Sequence, residues 1–353
     1  MEKIAIYPFN ANSFVFAKYQ KNLKQYDVAG FIEYEECDSD VVRHQYAPML
    51  GMDILIGSVK CLVKQADTIL LLEDPQITIS KYQFIINNIK KYKKKLLITK
   101  GLYDKLDTDG LNEVQLLDER IELGKERNSK FVNIDIPTIA IMSVGEECNK
   151  FDMQICAQDF FVNKGYKVLQ FGTKEYSKLF NMYTYPDFLF AEQFSYECKI
   201  LMLNHYIRKM LKQNEYDLLI LGVPGGILPI NDRFPNHFAE IPKIIAEAAQ
   251  LDINIISIYY QQDKNMDIME YVSAVSKYVY KCDTNYFNIS NVQLKYSIDE
   301  GMERVDYYYL DPKYIDIPTN SNEYKISCCF TGENIEIFFE TILNELIENI
   351  EII

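Results

Sequence analysis

The chain has 353 residues, and at roughly 100–200 residues per domain this length predicts two or three domains. Its 51 acidic residues against 37 Lys and Arg give a net charge of -14. This charge argues against nucleic acid or an anionic membrane as a partner, because phosphate-rich surfaces would be repelled. With 48% hydrophobic and 25% charged residues, the composition is that of a folded globular protein and excludes global disorder.

Targeting and metal signals are missing from the sequence. No apolar run reaches the roughly 18 residues of a membrane helix, and the N-terminus lacks the pattern of a secretory signal. We therefore expect a cytoplasmic protein with no membrane partner. The eight cysteines form no CxxC pair, and the three histidines are too few for a His-rich site. Reduced cysteines and no metal site are expected.

Short apolar strands alternate with helical patterns through the first third of the chain. The patterns predict strands at residues 3–8, 26–34, 52–58, 67–74 and 94–101. The helices between them are expected to begin near Phe14, Ser58 and Ile79. Strands and helices alternating at this spacing indicate βα units and a mostly parallel sheet. We predict a Rossmann-like or flavodoxin-like domain over residues 1–105.

A charged stretch then breaks this rhythm. The sequence GLNEVQLLDERIELGKERNSK, which begins at Gly110, carries many charges and is followed by IDIP. We interpret residues 106–135 as a helical linker and place the domain boundary there.

A second series of strands and helices follows the linker. Strands are predicted at 137–145, 166–173, 216–226, 253–260, 286–290 and 305–312, and helices at 150–164, 193–213, 238–250, 267–279 and 333–352. The last helix has an apolar stripe that packs either on its own domain or on a second subunit, so a homodimer stays open. The predicted fold class is α/β, with the Rossmann-like domain followed by a degenerate P-loop NTPase-like parallel-sheet domain over residues 136–353.

The strongest local feature is the segment IAIMSVGEECNKFDMQ, which begins at Ile139. A strand that turns through a short loop into a helix beginning with Lys has the geometry of a phosphate-binding loop, because the loop amides and the helix N-terminus point at an anion. We predict that Gly145, Asn149 and Lys150 bind a nucleotide or other anion. Cys148 would be a reactive thiol if exposed and an inert one if buried.

This loop departs from the pattern GxxxxGK[ST] at several positions. Val144 stands at the first glycine, and Asn149 at the glycine before the lysine. Phe151 stands where a Ser or Thr hydroxyl normally holds Mg²⁺. Glu146 and Glu147 would also oppose a phosphate. These departures put hydrolysis in doubt.

A glycine-rich turn follows the buried strand YDLLILGVPGG. Its glycines let the backbone approach a ligand closely, and they lie at the carboxyl end of the strand, where open α/β sheets bind ligands. We predict that Gly225 and Gly226 flank the phosphate, whereas Asp217 at the strand start is interpreted as a boundary residue.

Two further loops carry polar residues. The first strand ends in YPFNANS, which supplies Asn10, Asn12 and Ser13 but contains no GxGxxG pattern. The loop after Gly226 supplies Asp232, Arg233 and His237. A cleft between the two predicted domains would bring these two groups together.

The segments VGEECNKFDMQ, KGYKVLQFGTKEY, YPDF and YDLLILGVPGG resemble those of peptide maturation system proteins, which are encoded beside small Cys-rich ribosomal peptides and radical SAM enzymes. Cys148, Lys150, Phe151 and Gln154 are the most distinctive part of this resemblance. The two-part plan is also similar to P-loop proteins of the dethiobiotin-synthetase type. The resemblance implies an accessory role in peptide maturation and supplies no catalytic residues.

Three functions follow as hypotheses. The first is an accessory protein for maturation of a ribosomally made peptide that binds ATP or GTP with Mg²⁺ on the degenerate loop. The second is a non-catalytic scaffold that binds a peptide or a maturation enzyme, where an acidic surface would suit a basic leader peptide. The third is a small-molecule enzyme that uses the interdomain cleft.

Overall fold

The computed structural model of the chain divides into two units. One unit holds residues 1–120 with 175–184, and the other holds residues 121–174 with 185–353. The residues that the structure describes are 1–10, 13–33, 55–118, 130–231, 233, 235–262, 265–283, 285–299, 302–315, 323–332 and 334–351.

Strands and helices alternate through both units. The described strands are β1 (Glu2–Tyr7), β2 (Tyr26–Ile32), β3 (Ile56–Gly57), β4 (Thr68–Leu71), β5 (Lys95–Ile98), β6 (Glu113–Leu116), β7 (Thr138–Ser143), β8 (Val168–Gly172), β9 (Tyr183–Thr184), β10 (Leu218–Gly222), β11 (Ile253–Ile258), β12 (Tyr286–Ile289), β13 (Val292–Asp299), β14 (Met302–Tyr309) and β15 (Lys325–Ser327). The described α-helices are α1 (Phe14–Lys18), α2 (Val59–Gln65), α3 (Ile79–Tyr92), α4 (Lys100–Tyr103), α5 (Lys150–Asn163), α6 (Tyr196–Gln213), α7 (Glu240–Ala249), α8 (Asn265–Val279) and α9 (Ile335–Glu351). None of the helices in these ranges is long and apolar enough to cross a membrane.

The first unit contains a parallel sheet with the strand order β3-β2-β1-β4-β5-β6. This is the order of dinucleotide-binding α/β folds, and it confirms the predicted Rossmann-like architecture. The central strand β4 is buried along its whole length, as its continuous apolar sequence predicts. Ile69 and Leu71 of β4 pack in one core cluster with Ile85 and Ile89 of α3.

The predicted linker differs from the structure where the structure describes it. Residues 113–116 form β6, which pairs in parallel with β5, so the helical prediction is wrong for these residues. Val114 and Leu116 pack against the core, whereas Glu113 and Gln115 are exposed. This alternation is that of a half-buried edge strand. The first unit therefore extends past the predicted boundary at residue 105, and residues 119–129 of the predicted helix lie outside the described residues.

The second unit is built on β7, whose alternate side chains enter two different cores. Ile139 and Ile141 pack with α5 and α9, whereas Ala140 and Met142 pack with α6, α7 and α8. The parallel strands lie in the order β15-β12-β11-β7-β10-β8. Because helices cover both faces of this sheet, its central strands are apolar on both sides, as expected for a parallel sheet.

An antiparallel hairpin interrupts the parallel plan of the second unit. The predicted strand at 305–312 corresponds to β14, which pairs with β13, a strand that the pattern did not predict. Three tyrosines in succession, Tyr307 to Tyr309, lie on β14, and the Tyr307 ring lies 6.2 Å from the ring of Tyr259. The root of the hairpin therefore packs beside the end of β11.

The amphipathic helix α9 packs on its own unit. Phe338, Phe339, Ile342 and Leu346 are buried in the core that covers β7. The Phe339 ring stacks on Phe160 at 5.4 Å and meets Phe161 edge-on at 6.0 Å. This packing accounts for the apolar stripe of the helix without a second subunit.

Truncating this aromatic cluster gives a stability prediction. Replacing Phe339 with Ala removes a fully buried ring, and we expect the free energy of unfolding to fall by about 3–5 kcal/mol. Ile337 lies on the same helix but is 65% exposed, and Ile337→Ala is expected to change stability by less than about 0.5 kcal/mol. Urea unfolding measures both variants; equal effects would contradict the packing of α9 on this core.

Candidate functional site

The loop of residues 144–149 follows β7, the strand from which the chain adds further strands first on one side of the second sheet and then on the other. From β7 the chain passes to β8 and β10 on one side, and it then crosses to β11 and β12 on the other side. The carboxyl end of β7 is therefore a topological switch point, where open α/β sheets bind ligands. Helix α5 begins directly after the loop, at Lys150.

The backbone amides of this loop point to an anion site. Among the described residues, none accepts a hydrogen bond from the amides of residues 145–150. Glu147 and Asn149 both have a φ of 51°, the left-handed conformation that turns successive amides toward one point and forms a nest for an anion. Six amides that have no acceptor among the described residues, beside a helix N-terminus, would stabilise negative charge.

The lysine at the start of α5 is buried next to these amides. Its side chain is 7% exposed, and its Nζ donates a hydrogen bond to the carbonyl of Gly225 at 2.6 Å. Burial lowers the pKa of Lys150 to about 8, although the charge of Glu146 acts in the opposite direction. A carbonyl cannot neutralise an ammonium, so the positive charge of Lys150 remains available to an anion.

The glycine turn after β10 packs tightly against the loop. A Cβ placed on Gly226 would lie 2.7 Å from both Gly145 Cα and the Val144 carbonyl oxygen. The amide of Ile227 also donates to the Ser143 carbonyl at 2.9 Å. The structure thus brings together the five predicted anion-binding residues, namely Gly145, Asn149, Lys150, Gly225 and Gly226.

The two carboxylates of the loop have different environments. Glu147 accepts a hydrogen bond from the Tyr309 hydroxyl at 2.8 Å and lies 3.5 Å from the ammonium of Lys174. Burial raises the pKa of this carboxyl, but the Lys174 charge and the Tyr309 hydroxyl outweigh burial and hold the pKa below its usual value. Glu146 has an exposed side chain, and its carbonyl accepts a hydrogen bond from Tyr259.

The thiol in the loop is buried. Cys148 is 1% exposed, and burial raises the pKa of its thiol to about 12. Only the thiolate is a strong nucleophile. Cys148 is therefore an inert packing residue, which is the second of the two expectations from the sequence.

The residues around the loop do not fit a Mg²⁺ site. In P-loop enzymes the metal is held by a hydroxyl after the lysine and by an acid on the neighbouring strand. Here Phe151 follows the lysine, and β10 ends in Gly222, where an added Cβ would lie 2.3 Å from Gln154 Oε1. Asp217, at the other end of β10, accepts from the Lys167 amide, as a boundary residue would. Across the described ranges, no cluster of three or more His, Cys, Asp or Glu side chains could hold a metal.

The residues predicted for an interdomain cleft belong to separate units. In the first unit, Asn10 donates to Asp74 Oδ2 at 2.7 Å and exchanges hydrogen bonds with Ser13. In the second unit, the Arg233 amide donates to Asn231, and His237 has a φ of 49°. Asn12 and Asp232 lie outside the described residues.

Sequence reasoning missed three residues that contact or support the loop. Lys174 follows β8 at the same sheet edge as the loop, and the rule that strand ends converge could have found it. Tyr309 is 162 residues from Glu147 in sequence, and no local pattern indicates that contact. The sequence indicated Gln154 only through the family resemblance. In the structure, its side-chain amide lies against Gly222 and forms hydrogen bonds with Thr173.

The comparisons with known proteins identify a shared fold. No protein-family profile matches the chain, and no curated protein sequence matches it. A DUF1611 family protein from Anabaena variabilis is similar in structure, with a TM-score of 0.57 and 10% identity over 82% of this chain and 87% of that chain. At this identity the likeness shows the fold alone, and it confirms the predicted α/β class.

Weaker likenesses add no further argument. The MinD cell division protein of Aquifex aeolicus gives a TM-score of 0.31, at 15% identity over 44% of this chain and 70% of its own. A nucleotide-binding protein of Archaeoglobus fulgidus, in complex with ADP, gives 0.28, at 15% identity over 50% and 74%. Neither concerns peptide maturation, which remains a prediction.

The close approach of the two turns predicts the effect of adding a methyl group at residue 226. Gly226→Ala would press the new Cβ on backbone atoms of the loop, and we expect a loss of about 1–3 kcal/mol in unfolding free energy. A Cβ at Gly101 would meet only Glu73, at 3.6 Å, so Gly101→Ala is the matched control and should be neutral or slightly stabilising. Urea unfolding compares the two; a neutral Gly226→Ala variant would contradict the tight packing.

Proposed function

We propose that the second unit binds the phosphate chain of a nucleotide at the loop of residues 144–149. The single observation that carries this proposal is that the amides of residues 145–150 have no acceptor in the part of the chain that the structure describes. Their charge-assisted hydrogen bonds would hold phosphate oxygens, and the buried ammonium of Lys150 would supply a point charge beside them. ATP and GTP are both candidates, because the proposed contacts of the loop are with phosphates only.

Binding without turnover is the form of this function that the site supports. Hydrolysis of a phosphoanhydride needs an oriented water and a group that stabilises the charge of the transition state. The turn of residues 222–226 contains no carboxylate that would orient a water. Phe151 and Gly222 stand at the positions from which a metal is usually held. A nucleotide would then act as a structural or regulatory ligand.

The cellular role stays a proposal that rests on the sequence resemblance. An accessory protein for peptide maturation would couple nucleotide binding to a peptide substrate or to a maturation enzyme. The net charge of -14 would favour a basic partner, and association would then slow as salt is added. A scaffold without nucleotide is the alternative, and it predicts no nucleotide binding at all.

Calorimetric titration with ATP tests the proposal. We expect saturable binding to the wild-type protein, weakened about 10- to 100-fold in Lys150→Met, because a charge-assisted hydrogen bond contributes about 1.5–3 kcal/mol. Lys167 lies before β8, at the opposite end from the loop, and is 66% exposed. Lys167→Met is therefore the matched control and should bind like the wild type. Absence of binding at millimolar ATP would reject the nucleotide site.

The pH dependence of binding gives a second test. Since the pKa of Lys150 is about 8 in the free protein, the free protein loses this charge as the pH rises above 8, and binding must then restore the proton. Affinity should fall by up to about tenfold per pH unit between pH 8 and 10. An Arg side chain stays charged through this range, so Lys150→Arg should bind with a flat profile. The same slope in both proteins would exclude Lys150 as its cause.

A further inference from the structure

We infer that this site binds its polyanion without a divalent cation, and that Lys174 supplies the positive charge that a metal would otherwise bring. The inference rests on the proposed phosphate site and adds the class of ligand, which is a metal-free polyphosphate. Three observations carry this inference. The Gln154 side chain fills the space at the end of β10 from which a carboxylate would hold a metal. A second lysine, Lys174, lies beside the loop, and its counterion, Glu147, belongs to the loop.

The space at the end of β10 is filled by a neutral amide. Gln154 Oε1 accepts from the Thr173 amide at 3.0 Å, and its Nε2 donates to the Thr173 hydroxyl at 3.1 Å. The Gln154 side chain is fully buried, and the backbone carbonyl of Gln154 accepts a hydrogen bond from Gln170 Nε2 at 2.8 Å. A Cβ on Gly222 would collide with this amide. No carboxylate can therefore occupy residue 222 without displacing Gln154, and Mg²⁺ needs several oxygen ligands at octahedral positions.

Lys174 places a second ammonium beside the loop. It lies two residues after the end of β8, and its Nζ lies 3.5 Å from Glu147 Oε1. The positive charges of Lys174 and Lys150 also repel each other, and this repulsion helps to lower the pKa of Lys150. If a bound phosphate displaced Glu147 from Lys174, the two ammonium groups would present the same charge as one Mg²⁺. The protein alone would then offset part of the charge of a phosphate chain bound at the amides.

Glu147 acts as the counterion of Lys174 in the free protein. Its two oxygens are shared between Lys174 and the Tyr309 hydroxyl, and both side chains of the ion pair are about one-third exposed or less, at 31% and 28%. A phosphate with a higher charge than a carboxylate would compete for the ammonium. Removing the Glu147 charge should therefore remove this competition for the Lys174 ammonium and raise affinity for the ligand.

Titration of the full chain with ATP and with tripolyphosphate, each in EDTA and in excess Mg²⁺, tests metal independence. We expect dissociation constants that are no weaker in EDTA than in Mg²⁺ by more than about threefold. Binding at least tenfold tighter with Mg²⁺ would overturn the inference and leave the phosphate site intact. Lack of binding in both buffers would instead overturn the proposed function, so the two failures are distinguishable.

Variants of the ion pair test the role of Lys174. In EDTA, we expect Lys174→Met to weaken tripolyphosphate binding about tenfold or more, and Glu147→Gln to strengthen it by severalfold. In Lys174→Met, affinity could fall because the ammonium is lost or because Glu147 loses its counterion. The double variant Lys174→Met/Glu147→Gln removes both charges and so separates these two effects. It should bind more weakly than Glu147→Gln alone. Glu146→Gln controls for removal of a loop charge that does not pair with Lys174. Wild-type affinity in the double variant, or a larger gain in Glu146→Gln than in Glu147→Gln, would overturn the assignment.

Discussion

The hydrogen bond between the buried ammonium of Lys150 and the Gly225 carbonyl is the interaction on which the site depends. Taking a charge out of water is costly, and a neutral carbonyl offsets only part of that cost. The remaining positive potential adds to that of the amides of residues 145–150, for which no described residue is an acceptor. The proposed affinity of the loop for an anion follows from these amides and this ammonium, although the protein as a whole is acidic.

The fold places the carbonyl and the ammonium together. Strand β7 lies between β10 and β11, so the turn after β10 meets the loop after β7 side by side. The glycine at residue 226 allows the two backbones to approach more closely than any side chain would permit. Helix α5 starts at Lys150 because the left-handed Asn149 turns the chain into it, and this turn aims the lysine across the sheet edge toward Gly225.

Local patterns in the sequence predicted the parallel strands and the loop, and they failed where distant contacts decide the structure. The continuous apolar runs of β4, β7 and β10 indicate buried parallel strands, and these were predicted. The edge strand β6 was predicted as helix, because its charged neighbours hide its alternating pattern. Within the site, Lys150 carries a local signal. The contact of Tyr309 with Glu147 depends on the hairpin that joins β13 and β14, and no spacing predicts it.

The acidic residues of the loop are compatible with an anion because of how their charges are distributed. Glu147 is held by Lys174 and Tyr309, so its charge is compensated before any ligand arrives. Glu146 extends into solvent, where water screens its charge. The net charge of -14 acts mainly at long range, and salt at about 0.1 M screens it beyond about 10 Å. At the proposed phosphate site, the overall charge would therefore slow the approach of a polyanion, whereas the amides and two lysines at the loop would decide whether it stays bound.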